Sequence, residues 1–179
     1  MQTTTLPLML AGPLSKGAAL ARQVGVPALV VVDSGHAAGK RMRDYGGFGD
    51  PRSPKNALLI ETGQHWRASS VAVAKDVTAR FLAESGVVDA ADLPAGWRQP
   101  ARAPQRVVEV TQAVATKRGN FQSVRPFEGQ EVIEKAGTLL GHDDGEPVTT
   151  PYDKCVLVMT TSNRPLRAGV TVVRLGRLA

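Results

Sequence analysis

The sequence predicts an α/β domain followed by a small all-β domain, and three observations carry this prediction. Short apolar runs alternate with helical patterns up to residue 88. A segment rich in proline follows, and beyond it short β-type runs are separated by glycine turns. Alternating strands and helices favour a sheet covered by helices, whereas closely spaced short strands favour a sandwich or barrel. We therefore predict an α/β domain over residues 1–88, a linker over 89–104 and a β-domain over 105–179.

The first part has the order strand, helix, strand. Residues 6–10 form a short apolar run, which Gly12 and Pro13 end. A helix is predicted over residues 16–24, with Ser15 as its N-cap and Gly25 in a left-handed conformation at its end. Residues 27–33, a largely apolar run with three successive valines, then predict a buried strand. This order is that of a βαβ unit, so we expect a parallel or mixed sheet.

A long, glycine-rich loop is predicted over residues 34–55. It contains the basic cluster Lys40-Arg41-Met42-Arg43 and the aromatic residues Tyr45 and Phe48. Loops of this length in a compact domain usually carry function. The aromatic residues indicate a pocket wall, and the basic cluster indicates an anionic small molecule. The alternative is a solvated loop with surplus positive charge.

A carboxylate follows the next apolar run. Residues 57–60 predict a fully buried strand, and Glu61 lies at its carboxyl end, before a turn at Gly63. Ligands of open α/β sheets bind at the carboxyl ends of the strands, so Glu61 is a candidate catalytic residue. The alternative is that Glu61 pairs with an arginine or caps the following helix. That helix is predicted from Ser69 or Ser70 to about Glu84.

The second part contains five predicted strands. They cover residues 106–115, 130–133, 138–141, 155–159 and 170–175. The segment from residue 127 to residue 153 has the layout of a barrel-sandwich hybrid, so we expect a small barrel-like β-domain.

Five blocks of sequence carry a resemblance to a known family. They are residues 8–13 (LMLAGP), 32–39 (VDSGHAAG), 43–51 (RDYGGFGDP), 61–66 (ETGQHW) and 151–157 (PYDKCVL). Together they resemble the succinylglutamate desuccinylase/aspartoacylase family. The resemblance implies a zinc-dependent hydrolase that cleaves the amide bond of N-acyl amino acids. It also implies a carboxypeptidase-like α/β domain followed by a β-rich domain.

The resemblance implies roles for particular residues. The general base of the family is a glutamate in an Ile/Leu-Glu-x-Gly turn, which is Glu61 here. Zinc would polarise the acyl carbonyl and activate a water, while the base moves the proton to the leaving amine. Arg41 and Arg43 are candidates for holding the substrate carboxylate, and Arg52 is their rival. Two further candidates are Tyr45, in the pocket wall, and His65, which either orients a ligand or packs beneath Trp66.

The metal ligands of the family are not found in the sequence. The family uses a His-x-x-Glu pair and a later Asp-x-His-Ser/Asn stretch, and neither occurs here. The remaining candidates are His36, His65, His142 and Cys155, and no two histidines have the spacing of a zinc site. We therefore expect a C-terminal portion of such an enzyme, without metal ligands and inactive alone. The alternative is a non-catalytic binding or interaction module built on the β-domain.

Composition limits the remaining classes of function. The 179 residues include 22 Lys and Arg against 16 Asp and Glu, a net charge of +6, but aromatic residues make up only 4%. Scattered basic residues with few aromatics argue against nucleic acid. No apolar run is long enough to span a membrane and no signal peptide is visible, so we expect a cytoplasmic protein. The single cysteine, Cys155, is expected to be buried and inert. The expected partner is a small anionic N-acyl amino acid, and a homo-oligomer is possible.

Overall fold

A computed structural model of the chain describes residues 6–34, 40–100, 103–161 and 166–179. The chain divides into two units. One comprises Pro7–Val107, and the other contains Val108–Ala179. Each unit has its own buried core.

The N-terminal unit contains three short strands and three helical segments. Among the described residues, no helix combines the length and the apolar character needed to span a bilayer. In chain order the elements are β1 (Leu8–Leu10), α1 (Ser15–Val24), β2 (Leu29–Val32), α2 (Gly46–Gly49), β3 (Leu59–Glu61) and α3 (Ala68–Glu84), with single 3-10 turns at Met42–Asp44 and Ala90–Asp92.

The three strands form a mixed sheet in the order β3-β1-β2. Strand β1 is parallel to β2, with Met9 opposite Val30. Strand β3 is antiparallel to β1, with Glu61 opposite Leu8. The expectation of a buried strand inside a parallel sheet is therefore wrong for β3, which lies at the end of this order and is only partly buried. An apolar run reveals that a strand exists, but it does not reveal the direction of that strand.

Apolar side chains from the sheet and both long helices form the core of this unit. Met9 and Val30 are fully buried and belong to one cluster with Ala21 and Val24 of α1 and Val77 of α3. The apolar residues Val73, Val77 and Phe81 of α3, which recur at helical spacing, therefore pack in this core.

Both ends of α1 test the sequence prediction. Gly25 adopts the predicted left-handed conformation, with a φ of 74°, and its N–H donates to the Ala21 carbonyl. At the other end, Ser15 is the first helical residue, and the preceding Leu14 is the N-cap, which has no side chain that can accept a hydrogen bond. The prediction of Ser15 as the N-cap is therefore wrong by one residue, and the first N–H groups of α1 have no side-chain cap.

The C-terminal unit is all-β. Its strands are β4 (Arg106–Ala115), β5 (Phe121–Ser123), β6 (Val132–Ile133), β7 (Leu139–Asp143), β8 (Glu146–Thr149), β9 (Cys155–Val158) and β10 (Thr171–Leu178). Antiparallel pairing gives the orders β4-β10-β9-β6 and β5-β7-β8. All five predicted strands are present; β4 has the predicted ends and the other four have shifted ends. Strands β5 and β8 were not predicted because they are short and partly polar. The barrel-sandwich form stays a prediction.

Strand β4 contains residues of both units, because the boundary between the units falls after Val107. It begins in the N-terminal unit, where the Arg106 N–H donates to the Ala28 carbonyl at 2.8 Å. The rest of β4 belongs to the C-terminal unit. The parallel and antiparallel pairing in the N-terminal unit, together with its helices, confirms the predicted α/β class with a mixed sheet.

The core of the C-terminal unit is formed by side chains from five of its strands. Leu140, Leu157 and Leu175 are fully buried, and Phe121 packs with them. Cys155 is a free, fully buried thiol in the same cluster, as predicted. Burial raises the pKa of the Cys155 thiol, which favours its neutral, inert form.

Candidate active site

Glu61 is the last residue of β3 and lies opposite Leu8, at the beginning of β1. Its side chain is partly exposed, so solvent and a ligand can reach it. The chain then turns at Gly63, whose φ of 105° is unfavourable for residues with a side chain. A rigid strand end followed by a glycine turn holds the carboxylate in a fixed place, which suits a general base.

The segment after Glu61 leads directly into α3. His65 is exposed, and Trp66 is 74% exposed. The structure therefore does not show His65 packed beneath Trp66, and a role for His65 in orienting a ligand stays a prediction. Helix α3 begins at Ala68 without a side-chain cap on its first N–H groups. Such a helix start carries a partial positive charge that favours an anion.

Arg43 lies at the other end of β1. It is buried, only 6% exposed, and donates from Nη1 to the Leu10 carbonyl at 2.9 Å and from Nη2 to the Asp33 carbonyl at 3.4 Å. These two carbonyls follow the carboxyl ends of the parallel strands β1 and β2. Since Glu61 pairs with Leu8, Arg43 and Glu61 are placed at opposite ends of β1.

Arg41 and Tyr45 flank the short 3-10 turn that contains Arg43. The backbone N–H of Arg41 donates to Asp44 Oδ2 at 2.8 Å, and the Arg41 guanidinium lies 3.8 Å from the same oxygen. Tyr45 is 58% exposed, and the ammonium of Lys40 lies 5.7 Å from the centre of its ring. The basic cluster is thus partly buried around Asp44 and partly exposed around Tyr45.

Arg52 is the most exposed of the candidate arginines. Its side chain is 90% exposed and lies 3.4 Å from Asp50 in an ion pair. Solvent screens such a pair, so Arg52 is free to reorient toward a ligand. Arg52 belongs to the loop that packs on the first turn of α1 through Lys16.

Lys16 holds that loop in place, and sequence reasoning did not predict this role. Its ammonium donates to the carbonyls of Gly47 at 3.0 Å, Asp50 at 2.7 Å, Ser53 at 3.2 Å and Lys55 at 2.7 Å. The four acceptors surround one point charge, an arrangement suited to an ammonium. No local motif signals it, because the acceptors are backbone atoms that the fold brings together.

A cavity of about 220 Å³ opens between β1, the first turn of α1 and this loop. Its lining includes Gly12, Leu14, Arg43, Phe48 and Asn56. Gly12 has a φ of 76°, and a Cβ there would lie 3.1 Å from Arg43 Nε, so glycine allows the guanidinium to lie against the backbone. Glu61 is not among the lining residues.

The described residues do not fit a zinc site. Within residues 6–34, 40–100, 103–161 and 166–179, no group of three or more His, Cys, Asp or Glu side chains is placed to hold a metal ion. His142 is exposed on β7, and Cys155 is buried in the core of the C-terminal unit. His36 lies outside the described residues.

Comparison with known proteins supports the fold that the sequence predicted. No protein-family model matches the sequence, and no curated protein sequence matches it. Solved structures do match, and they include succinylglutamate desuccinylases and aspartoacylase family proteins. The predicted resemblance to this family is thereby confirmed at the level of the fold.

Three of these structures illustrate the similarity. Succinylglutamate desuccinylase from Vibrio parahaemolyticus has a TM-score of 0.64 at 16% identity, over 97% of this chain and 49% of its own. An aspartoacylase family protein from Mesorhizobium loti has a TM-score of 0.63 at 14% identity, over 98% and 53%. The ectoine utilization protein EutE from Ruegeria pomeroyi, solved with product bound, has a TM-score of 0.60 at 18% identity, over 97% and 54%. The chain spans about half the length of each.

Proposed function

We propose that this chain contributes the base-bearing part of a deacylase site that hydrolyses the amide bond of small N-acyl amino acids. The observation that carries the proposal is the position of Glu61, a partly exposed carboxylate at the end of β3, in a fold shared with succinylglutamate desuccinylases. A catalytic carboxylate needs both a rigid backbone and access to substrate, and Glu61 has both.

Glu61 acts as the general base in this proposal. Its carboxylate accepts a proton from the water that attacks the acyl carbonyl carbon, and it returns the proton to the amine nitrogen as the C–N bond breaks. General-base catalysis of this kind contributes roughly 10²- to 10⁴-fold to a rate. Pairing of β3 with β1 restricts the motion of the Glu61 backbone, so little ordering is needed when substrate binds.

The substrate is proposed to be anionic, and its carboxylate needs a partner at the Glu61 end of β1. The four predicted loop residues, Arg41, Arg43, Tyr45 and Arg52, belong to the segment that packs at the other end. We therefore assign this role to His65 and the uncapped first N–H groups of α3, which follow Glu61 directly.

The 179-residue chain is proposed to be inactive by itself. The family enzymes are expected to use zinc, but the described residues gather no set of metal ligands. Glu61 alone supplies a base without an electrophile for the carbonyl oxygen. No step through a metal is therefore assigned to this chain.

A binding module is the second candidate function. The observation that favours it is the separate apolar core of the C-terminal unit, which includes Leu140, Leu157 and Leu175; among the residues that the structure describes, it contains none before Val108. A β-unit with its own core can present a surface to a partner whether or not the protein is an enzyme.

One experiment separates these functions. The assay measures release of free amino acid from acetyl- and succinyl-amino acids. It is applied to the 179-residue chain and to the polypeptide isolated from its native host, whatever the length of that polypeptide. We expect turnover only for a longer polypeptide, with a loss of at least 100-fold for Glu61→Gln. Glu84→Gln, an exposed glutamate at the end of α3, is the matched control and should keep the full rate.

Each of the other results decides against part of the proposal. Full activity of Glu61→Gln would exclude the base role. Turnover by the 179 residues alone would show that they contain an electrophile of their own. A native polypeptide without activity toward these substrates would favour the binding module.

A further inference from the structure

The cavity is lined by Arg43, an arginine whose hydrogen-bonding capacity is not fully used. Among the described residues, Nε of Arg43 and Nη1 of Arg41 are buried and have no hydrogen-bond partner. Arg43 is only 6% exposed, and it is one of the residues that line the cavity. Buried donors are nearly always paired, because an unpaired one loses its hydrogen bonds to water and gains none in return. The unpaired Nε of Arg43, at the wall of the cavity, therefore indicates an acceptor that the described residues do not supply.

The charges around the cavity are also unbalanced. Asp44 is the carboxylate nearest to both arginines, at 3.7 Å from Arg43 Nε and 3.8 Å from Arg41 Nη1, which is beyond hydrogen-bond distance in each case. Burial, followed by repulsion from Arg41, lowers the pKa of the Arg43 guanidinium despite the nearby carboxylates. The Lys16 ammonium adds a third positive charge, although it is bound to four carbonyls.

The first turn of α1 borders the same cavity. Leu14 and Lys16 line it, and this ten-residue helix has neither a side-chain cap nor an acidic residue in its first turn. The unpaired N–H groups and the positive end of the helix dipole favour an anion at this position. The absence of a cap is therefore consistent with a ligand that takes the place of one.

We propose that the cavity lined by Gly12, Leu14 and Arg43 binds a small oxyanion, a phosphate or a short carboxylate, between the Arg43 guanidinium and the first N–H groups of α1. At about 220 Å³ the cavity is below the usual size of a drug-like ligand site, so it suits an ion or a short dicarboxylate. The Asp44 carboxylate disfavours larger anionic charge. This site lies at the end of β1 opposite to Glu61 and does not depend on the deacylase function.

The test measures binding to the 179-residue chain at constant ionic strength. Inorganic phosphate, succinate and chloride are titrated separately, with calorimetry for affinity and backbone amide NMR shifts for location. We expect phosphate or succinate, but not chloride, to shift the amides of Ser15 and Lys16. The comparison of phosphate with succinate identifies which oxyanion the site prefers.

Three variants make the test specific. Arg43→Lys keeps the charge but loses the Nε donor, and we expect at least tenfold weaker binding, as for a lost charge-assisted hydrogen bond. Ser15→Asp places a carboxylate in the first turn, which stabilises α1 but should weaken binding severalfold. Arg22→Met removes an exposed charge from the last turn of the same helix and should leave the affinity unchanged.

The result for Ser15→Asp keeps the proposal testable even if Arg43→Lys fails to fold. Unchanged affinity in Ser15→Asp would show that the anion does not bind at the start of α1, and an equal loss in Arg22→Met would show that it binds by general charge. Either result would overturn the site. Equal binding of chloride would do the same. Amide shifts that map elsewhere would also refute it.

Discussion

Replacing Lys16 with methionine should release the loop over residues 46–55 from α1. The Lys16 ammonium donates to the carbonyls of Gly47, Asp50, Ser53 and Lys55 at distances between 2.7 and 3.2 Å. Methionine has a similar length and fills the space of the side chain, but it donates no hydrogen bond. The substitution therefore removes the hydrogen bonds without leaving a large cavity.

The magnitude follows from the number of donors. An ammonium has three N–H groups for these four acceptors, and a hydrogen bond to a charged group contributes about 1.5–3 kcal/mol when buried. The contacts are only partly buried, and water replaces part of what is lost. We expect the free energy of opening this loop to fall by about 2–3 kcal/mol, which corresponds to about 30- to 150-fold faster exchange of its protected amide hydrogens.

Hydrogen exchange measured residue by residue is the direct assay. Faster exchange should be confined to the loop, including the Ser53 amide, which donates to the Asp50 carbonyl. Lys55→Met is the matched control, because its exposed side chain is lost while its carbonyl stays. Lys16→Arg should not restore protection, since a planar guanidinium cannot direct its donors to four acceptors around one point. Equal effects of Lys16→Met and Lys55→Met would refute the reasoning.

Two further substitutions test the packing of each unit. Gly17→Ala places a Cβ 2.1 Å from the Ala11 carbonyl oxygen, so we expect a loss of about 3 kcal/mol in urea unfolding despite the better helix propensity of alanine. In the other unit, the Asp143 carboxylate accepts from Thr116 Oγ1 at 2.5 Å and from the Lys117 N–H at 2.7 Å. The Thr116 hydrogen bond is the main cause that lowers the pKa of Asp143. Stability should therefore be lost as pH falls from about 4 through the lower folded value, and Asp143→Asn should flatten this dependence.

For each of these two predictions, one result would contradict it. Gly129 has open space around its Cβ position, so Gly129→Ala is the neutral control for Gly17→Ala. Equal stability of the two alanine variants would mean that α1 can move away from β1 at little cost. For Asp143, an unchanged pH profile in the asparagine variant would show that other carboxylates cause the acid sensitivity.

The fold could be predicted where local patterns decide it. Helix α3 followed from apolar spacing and α1 from the signals at its ends, and β4 matched the predicted residues 106–115 at both ends because β-branched residues are frequent in it. Strands β5 and β8 were missed since each is short and carries polar residues, and their pairing with β7 is what makes them strands. Such pairing depends on residues far apart in the chain, which local propensity does not report.

The direction of β3 explains why the site could be predicted only in part. A buried apolar run followed by Glu61 and a glycine turn identifies a strand end, and the structure contains that strand end. Which other residues meet it depends on whether β3 runs parallel or antiparallel to β1, and no local pattern in the run determines this. Since β3 is antiparallel, its carboxyl end meets the beginning of β1, while Arg43 binds the carbonyls at the other end. One strand of three residues thus separates a candidate base from a candidate anion site, and each needs its own experiment.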